Sequence, residues 1–113
     1  MHELSLIHAL IDTVVQSARE NGITKVTKVK LVVGESHGAL PDALQFAFDI
    51  LTVDTVCAGA ELAIEKNALL LKCRECAREF HPEGYLFCCP GCGVSNAALV
   101  KGNELYVEYF EGE

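Results

Sequence analysis

The feature that most constrains this chain is a pair of Cys-x-x-Cys motifs, Cys73/Cys76 and Cys89/Cys92, separated by twelve residues. A Cys-x-x-Cys in a tight turn aims both sulfurs at one point. Two such turns facing each other complete a tetrahedron around Zn²⁺, with Zn–S of ~2.3 Å. Four protein ligands leave no open position, so the expected zinc is structural. The second turn, Cys89-Pro90-Gly91-Cys92-Gly93, has suitable residues: proline fixes one dihedral and the glycines permit positive ones. The gap leaves room for a short two-stranded ribbon. A redox dithiol fits less well, because that motif normally stands alone before a helix in a βαβ setting. Cys88 would break the spacing, so Cys89 is preferred as the ligand. His81 reads as a surface or outer-shell residue, and Cys57 as a small buried one. Residues 73–92 carry too little apolar content to hold themselves up, so zinc binding is expected to supply their folding energy.

The rest of the chain reads as alternating elements. Leu4, Ile7, Ile11, Val14 and Ala18 repeat at helical spacing and predict an amphipathic helix over residues 4–20, ended by Asn21-Gly22. Residues 25–35 are rich in β-branched side chains and predict a strand stopped near Gly34. Pro41 suits the first turn of a second helix running to about Val53. That helix is apolar on much of its circumference and is expected to be well buried. Residues 60–72 predict one long strand, with Asn67 marking a bend or bulge, and residues 99–110 predict another. The simplest closure is an α+β fold: two helices on a three-stranded mixed sheet, with an inserted four-cysteine zinc-ribbon segment. A right-handed crossover would make the first two strands parallel, and the last two can pair antiparallel. The domain reading is 1–72 with 93–113 as an α/β domain, and 73–92 as the zinc-binding segment.

Composition narrows the function. With 50% hydrophobic and 22% charged residues the chain reads as globular. No apolar run approaches the ~20 residues of a membrane helix, and His2, Glu3, His8 and Asp12 do not fit a signal peptide. A cytoplasmic location and no membrane partner are expected. Six cysteines then argue for metal chemistry before disulfides. The formal charge is −7, and four thiolates around one Zn²⁺ make it more negative. A phosphate backbone would repel such a chain, so no nucleic-acid partner is expected. Lys25, Lys28 and Lys30 look like a solvated strand and its approach. No nucleophile–base motif, phosphate loop or open zinc site is present in the sequence, so no enzyme activity is expected.

The chain begins Met1-His2-Glu3. An α-amine, a backbone amide nitrogen and an imidazole fall within one chelating reach, and Glu3 adds an amide and a carboxylate. Nitrogen-rich square-planar sets suit Ni(II) or Cu(II). The plain alternative is a helix start, with Glu3 favoured there by the macrodipole.

Taken together, Met1-His2-Glu3-Leu4-Ser5, the Gly34-Glu35 loop leading to Pro41-Asp42-Ala43-Leu44-Gln45-Phe46-Ala47-Phe48, the two cysteine pairs and Gly102-Asn103-Glu104-Leu105 resemble the HypA/HybF family over essentially the whole chain. The resemblance implies a nickel metallochaperone for [NiFe]-hydrogenase maturation, with urease as a further client of some members. It implies transferable Ni²⁺ at His2, with Met1 and Glu3 as neighbouring donors, and structural Zn²⁺ at Cys73, Cys76, Cys89 and Cys92. It implies a HypB-type GTPase and the hydrogenase large-subunit precursor as partners. Strand edges permit a monomer or a homodimer. Asp42, near the start of the second helix, and His37 are left outside the nickel ligand set. The competing reading is a zinc-ribbon protein-binding module with no transferable metal.

Overall fold

The computed structural model describes residues 2–82 and 88–113, and of His2 the backbone alone. The amphipathic stripe forms helix α1, His2–Glu20, which buries Ile7, Ile11, Val14 and Ala18. Gly22 takes φ 70°, which lets Ile23 N–H donate to Ala18 O at 2.8 Å and Gly22 N–H to Arg19 O at 3.3 Å. These two bonds make a Schellman cap. Strand β1 is Val26–Gly34, followed by a 3-10 turn at Glu35–His37. Helix α2, Pro41–Leu51, starts on the expected proline and stops two residues short of Val53. Five strands follow: β2 (Glu61–Asn67), β3 (Leu70–Cys73), β4 (Glu79–Phe80), β5 (Ala97–Lys101) and β6 (Leu105–Gly112).

The strands form two three-stranded sheets, ordered β2-β1-β6 and β4-β3-β5. The first is mixed. Lys25 and Glu113 exchange backbone bonds at 3.0 and 2.8 Å, while Gly34 N–H reaches Glu104 O at 2.7 Å. β1 and β6 are therefore antiparallel. The pairs Lys28 with Glu61 and Lys30 with Glu65 advance in the same direction, so β2 lies parallel to β1 after its crossover through α2. Side chains of α1, α2, β1, β2 and β6 line one small apolar cavity; Ile11, Phe48, Leu31, Leu62 and Val107 represent the five elements. The expected α+β arrangement, two helices on a mixed three-stranded sheet, is what forms.

Both long strands expected from the sequence are broken in two, and each half joins a different sheet. The first break falls at Ala68 and Leu69, just after Asn67; the second falls after Lys101. Backbone packing explains both. A Cβ on Gly34 would collide with the Gly102 carbonyl, and one on Gly102 would strike the Leu69 Cα. Gly102 also holds φ 106°, a region only glycine enters freely. Three chain segments thus pass within contact here. Glu35 Oε1 accepts the Leu69 N–H at 2.9 Å, and the Leu69 carbonyl accepts from His81 Nδ1 at 2.9 Å. The antiparallel hairpin expected around the cysteines is realised by β3 and β5, with Leu71 opposite Leu99 and Cys73 opposite Ala97. In the first sheet β1 separates the other halves.

Contacts divide the chain into two compact units. One comprises Met1–Val32, Ala39–Glu65 and Leu105–Glu113; the other comprises Val33–Gly38 and Lys66–Glu104. The second unit is therefore wider than residues 73–92. Helix α2 is also less buried than its composition suggests. Leu44, Ala47 and Phe48 form its buried stripe, whereas Phe46 is 67% and Ile50 50% exposed. Eleven residues pack through one i, i+3, i+4 stripe, which leaves the opposite apolar side uncovered by the described residues.

Candidate metal centre

The cysteine unit has a small core. Leu71, Cys73, Phe80 and Cys89 are buried together, with Leu69 and Ala97 packed against them. Strand β3 delivers Cys73, and the turn that follows delivers Cys76. Two hydrogen bonds shape that turn: Ala77 N–H to Cys73 O at 2.9 Å, and Cys73 N–H to Arg78 O at 2.8 Å. The second turn repeats both. Gly93 N–H donates to Cys89 O at 2.8 Å, and Cys89 N–H to Val94 O at 3.1 Å. Even the backbone twist repeats, with φ 64° at Ala77 and 77° at Gly93. The two knuckles are one local structure used twice. Asn96 ties the second half to the first: its carbonyl accepts from Arg74 N–H at 2.8 Å and its side-chain amide donates to Glu75 Oε1 at 3.1 Å.

These turns bring four sulfurs together. Cys73 and Cys92 are 3.5 Å apart, as are Cys76 and Cys89, and all four ligand atoms lie within 4.8 Å of one another. A regular tetrahedron with Zn–S of ~2.3 Å has S···S edges of ~3.8 Å. The set therefore fits one tetrahedral ion of zinc size, with two ligands buried and two exposed. Thiolate donors suit a soft or borderline metal.

The electrostatics point the same way. The Cys89 thiol is drawn down to about 6, first by the backbone N–H of Cys92 and further by that of Gly91. Cys73 is also lowered, chiefly by the Cys76 amide. Cys92 goes the other way. The Val94 amide favours its thiolate, but the sulfurs of Cys73 and Cys89 oppose it and push it up to about 12. Cys76 is raised as well: the Arg78 amide pulls it down, and the Cys89 sulfur with burial outweighs that pull. Four sulfurs built to be thiolates cannot all ionise side by side. A divalent cation at their centre removes the conflict.

Other residues singled out by sequence sit elsewhere. Cys88 points its sulfur at Ser95 Oγ, 3.0 Å away. His81 holds the Leu69 carbonyl, and His37 Nε2 holds the Asn103 carbonyl at 3.1 Å. Asp42 stands exposed in the first turn of α2. Glu3 stands half-buried in the first turn of α1. Met1 and the His2 side chain lie outside the described residues. Among the described residues, the four cysteines form the group that could hold a metal. Sequence alone gives Glu35 no part beyond the loop it shares with Gly34. Only the neighbouring glycines, Gly34 and Gly102, hinted at a crowded crossing for it to brace.

Comparison with known proteins extends the local picture to the whole chain. The family model described as "Hydrogenase/urease nickel incorporation, metallochaperone, hypA" matches residues 1–112. The hydrogenase maturation factor HypA of Moorella thermoacetica is 35% identical over the full length of both chains. That of Solidesulfovibrio magneticus is 39% identical, again over both full lengths. The solution structure of the Ni metallochaperone HypA from Helicobacter pylori superposes with a TM-score of 0.68 at 26% identity, covering 97% of this chain and 96% of that one. A family match over residues 1–112, relatives covered from end to end and a solved structure of the same fold together place this chain in the HypA family.

Proposed function

We propose that this chain is a nickel metallochaperone that takes up Ni(II) at its amino terminus and delivers it for hydrogenase maturation. The observation that carries this reading is the family match over residues 1–112, which includes the opening Met1-His2-Glu3. His2 is the key ligand, with Met1 and Glu3 as flanking donors. Helix α1 begins at His2. The first N–H groups of a helix have no intrahelical acceptor, so amide nitrogens there bind an ion without breaking the helix ladder. The same end carries the positive pole of the macrodipole, which disfavours a cation by ~0.3–1 kcal/mol. That opposition suits a site that must release its cargo.

Cys73, Cys76, Cys89 and Cys92 would hold a structural zinc, which would cross-link the two knuckles. The chain has no Gly-x4-Gly-Lys-[Ser/Thr] loop, and the family description concerns metal incorporation. Any GTP hydrolysis therefore belongs to a HypB-type GTPase partner, and the recipient is the hydrogenase large-subunit precursor, with urease as a further client. No helix among the described residues is long and apolar enough to cross a membrane; work on a hydrogenase precursor would be carried out in the cytoplasm.

The test is a calorimetric nickel titration of untagged, zinc-loaded protein beside His2→Ala, with metal content measured on both. One nickel at roughly micromolar affinity, about −8 kcal/mol, lost in the variant with zinc retained, is the expected result. Equal nickel binding by both proteins refutes the amino-terminal site.

A further inference from the structure

Strand β6 lies at an edge of its sheet, and its outer border forms one wall of a groove. The opposite wall is Thr13, Val14 and Ser17 of α1, and β6 contributes the four successive residues 107–110; the volume is ≈370 Å³. Alternate side chains of a strand point to opposite faces. A groove lined by four successive residues therefore runs along the strand's border rather than over one face. Among the described residues β1 is the one strand paired with β6, so alternate N–H and C=O groups of β6 point outward. Edges of this length are usually blunted with proline, charged side chains (lysine above all), bulges or a covering element; the charges on this strand are Glu108 and Glu111. Residues 105–112 contain no proline and no lysine. The helix wall is made of small side chains, and the Thr13 hydroxyl already donates to Ala9 O at 3.1 Å.

We propose that this groove receives an extended, basic segment of a partner protein, which adds to β6 as a further strand beneath α1. Charge selects the guest. Glu108 lines the groove and Glu111 lies on the same strand, within a chain of formal charge −7. Lys28 lies over the Tyr109 ring, 5.9 Å from its centroid, with Glu61 and Glu111 countering its charge. A second copy fits poorly. Pairing two β6 edges brings Glu108 and Glu111 of each copy close together, and like charges across a strand pair repel. An added strand takes its affinity from main-chain bonds and its selectivity from alternate side chains. The matching guest therefore alternates Lys or Arg with β-branched residues.

The test uses isotope-labelled, full-length, zinc-loaded protein and a capped octapeptide alternating lysine and valine. Amide shifts confined to residues 13–17 and 106–111, with slowed exchange at the β6 edge, are expected. A glutamate–valine peptide of the same length should bind about tenfold more weakly, and Glu108→Lys should weaken the lysine peptide about fivefold. Ser17→Trp fills the groove from the helix side and should abolish binding; if that variant fails to fold, Glu108→Lys decides. The lysine peptide methylated on alternate backbone nitrogens separates strand pairing from charge attraction. Equal binding of that peptide overturns the proposal, as do shifts centred elsewhere or no binding at millimolar peptide. Protection of the same edge amides that rises with protein concentration in the absence of peptide assigns the edge to a second copy, and also overturns it.

Discussion

In the helical unit, α1, α2 and β1 contribute Ile7, Leu44 and Leu31, each 1% exposed, to one apolar interior. The buried cluster of the cysteine unit is Leu71, Cys73, Phe80 and Cys89, and two of those four are candidate metal ligands. The first unit draws its order from apolar surface removed from water, at ~25 cal/mol per Å². The second spends two of its few interior positions on sulfurs whose ionised forms repel one another. Its hydrogen bonds shape two tight turns but do not supply a core. On the proposed reading, one chain joins an ordinary hydrophobic fold to a piece that draws its order from an ion, and the two should fail under different treatments.

Metal removal should show the largest difference. Structural zinc supplies roughly 10–16 kcal/mol of apparent binding free energy at pH 7 in small zinc-dependent folds. A strong chelator should therefore collapse the amide dispersion of residues 70–101 while α1, α2 and β1 keep theirs, as read in one amide spectrum recorded before and after treatment. Persistence of the native pattern around Cys73 and Cys89 would show that the small core suffices without metal. The converse perturbation is Phe48→Ala, which empties a 2% exposed position of α2. Large-to-small changes of this kind cost about 3–5 kcal/mol. Denaturant unfolding of the zinc-loaded protein should show that loss in the helical unit, with zinc content and the spectrum of the knuckles unchanged. Coupled loss of both units would erase the distinction.

The same contrast explains what the sequence disclosed. Helix α1 was legible because Ile7, Ile11, Val14 and Ala18 carry a period no other structure satisfies, and Asn21-Gly22 marks its end. The four-cysteine constellation was legible because spacing alone forces two turns. The break of two apparent strands was not. Residues 60–72 and 99–110 keep strand-like composition throughout, and what divides them is the backbone crossing of Gly34, Leu69 and Gly102. That crossing is a long-range packing event with no local periodicity, and Glu35 bracing Leu69 belongs to it. The exposed side of α2 is illegible in the sequence for a related reason. Apolar composition says a face wants cover, but only the fold says whether the described chain supplies it. Of the proposed amino-terminal site, sequence provides the candidate donors, and the fold adds that helix α1 starts at His2.

The smallest effect probes the repeat of the two knuckles. Ala77 and Gly93 occupy equivalent positions, each donating its N–H to the carbonyl of the cysteine four residues earlier. Both have positive φ, 64° and 77°, yet only one is a glycine. Left-handed backbone costs an L-residue ~1–2 kcal/mol. Glycine avoids that cost but adds ~0.4–1 kcal/mol of unfolded-chain entropy. Ala77→Gly should therefore stabilise the first knuckle slightly, by about 0.5 kcal/mol, which is about a twofold gain in zinc affinity. Gly93→Ala imposes the same strain on the second knuckle and should reverse the sign. Competition against a zinc-binding dye reads both variants on one scale. Opposite shifts of similar size mean that the knuckles are equivalent in energy as well as in geometry. A large loss from Gly93→Ala beside no change from Ala77→Gly means that the second knuckle, where the Cys89 thiol is drawn down to about 6, sets zinc affinity and the first adapts to it.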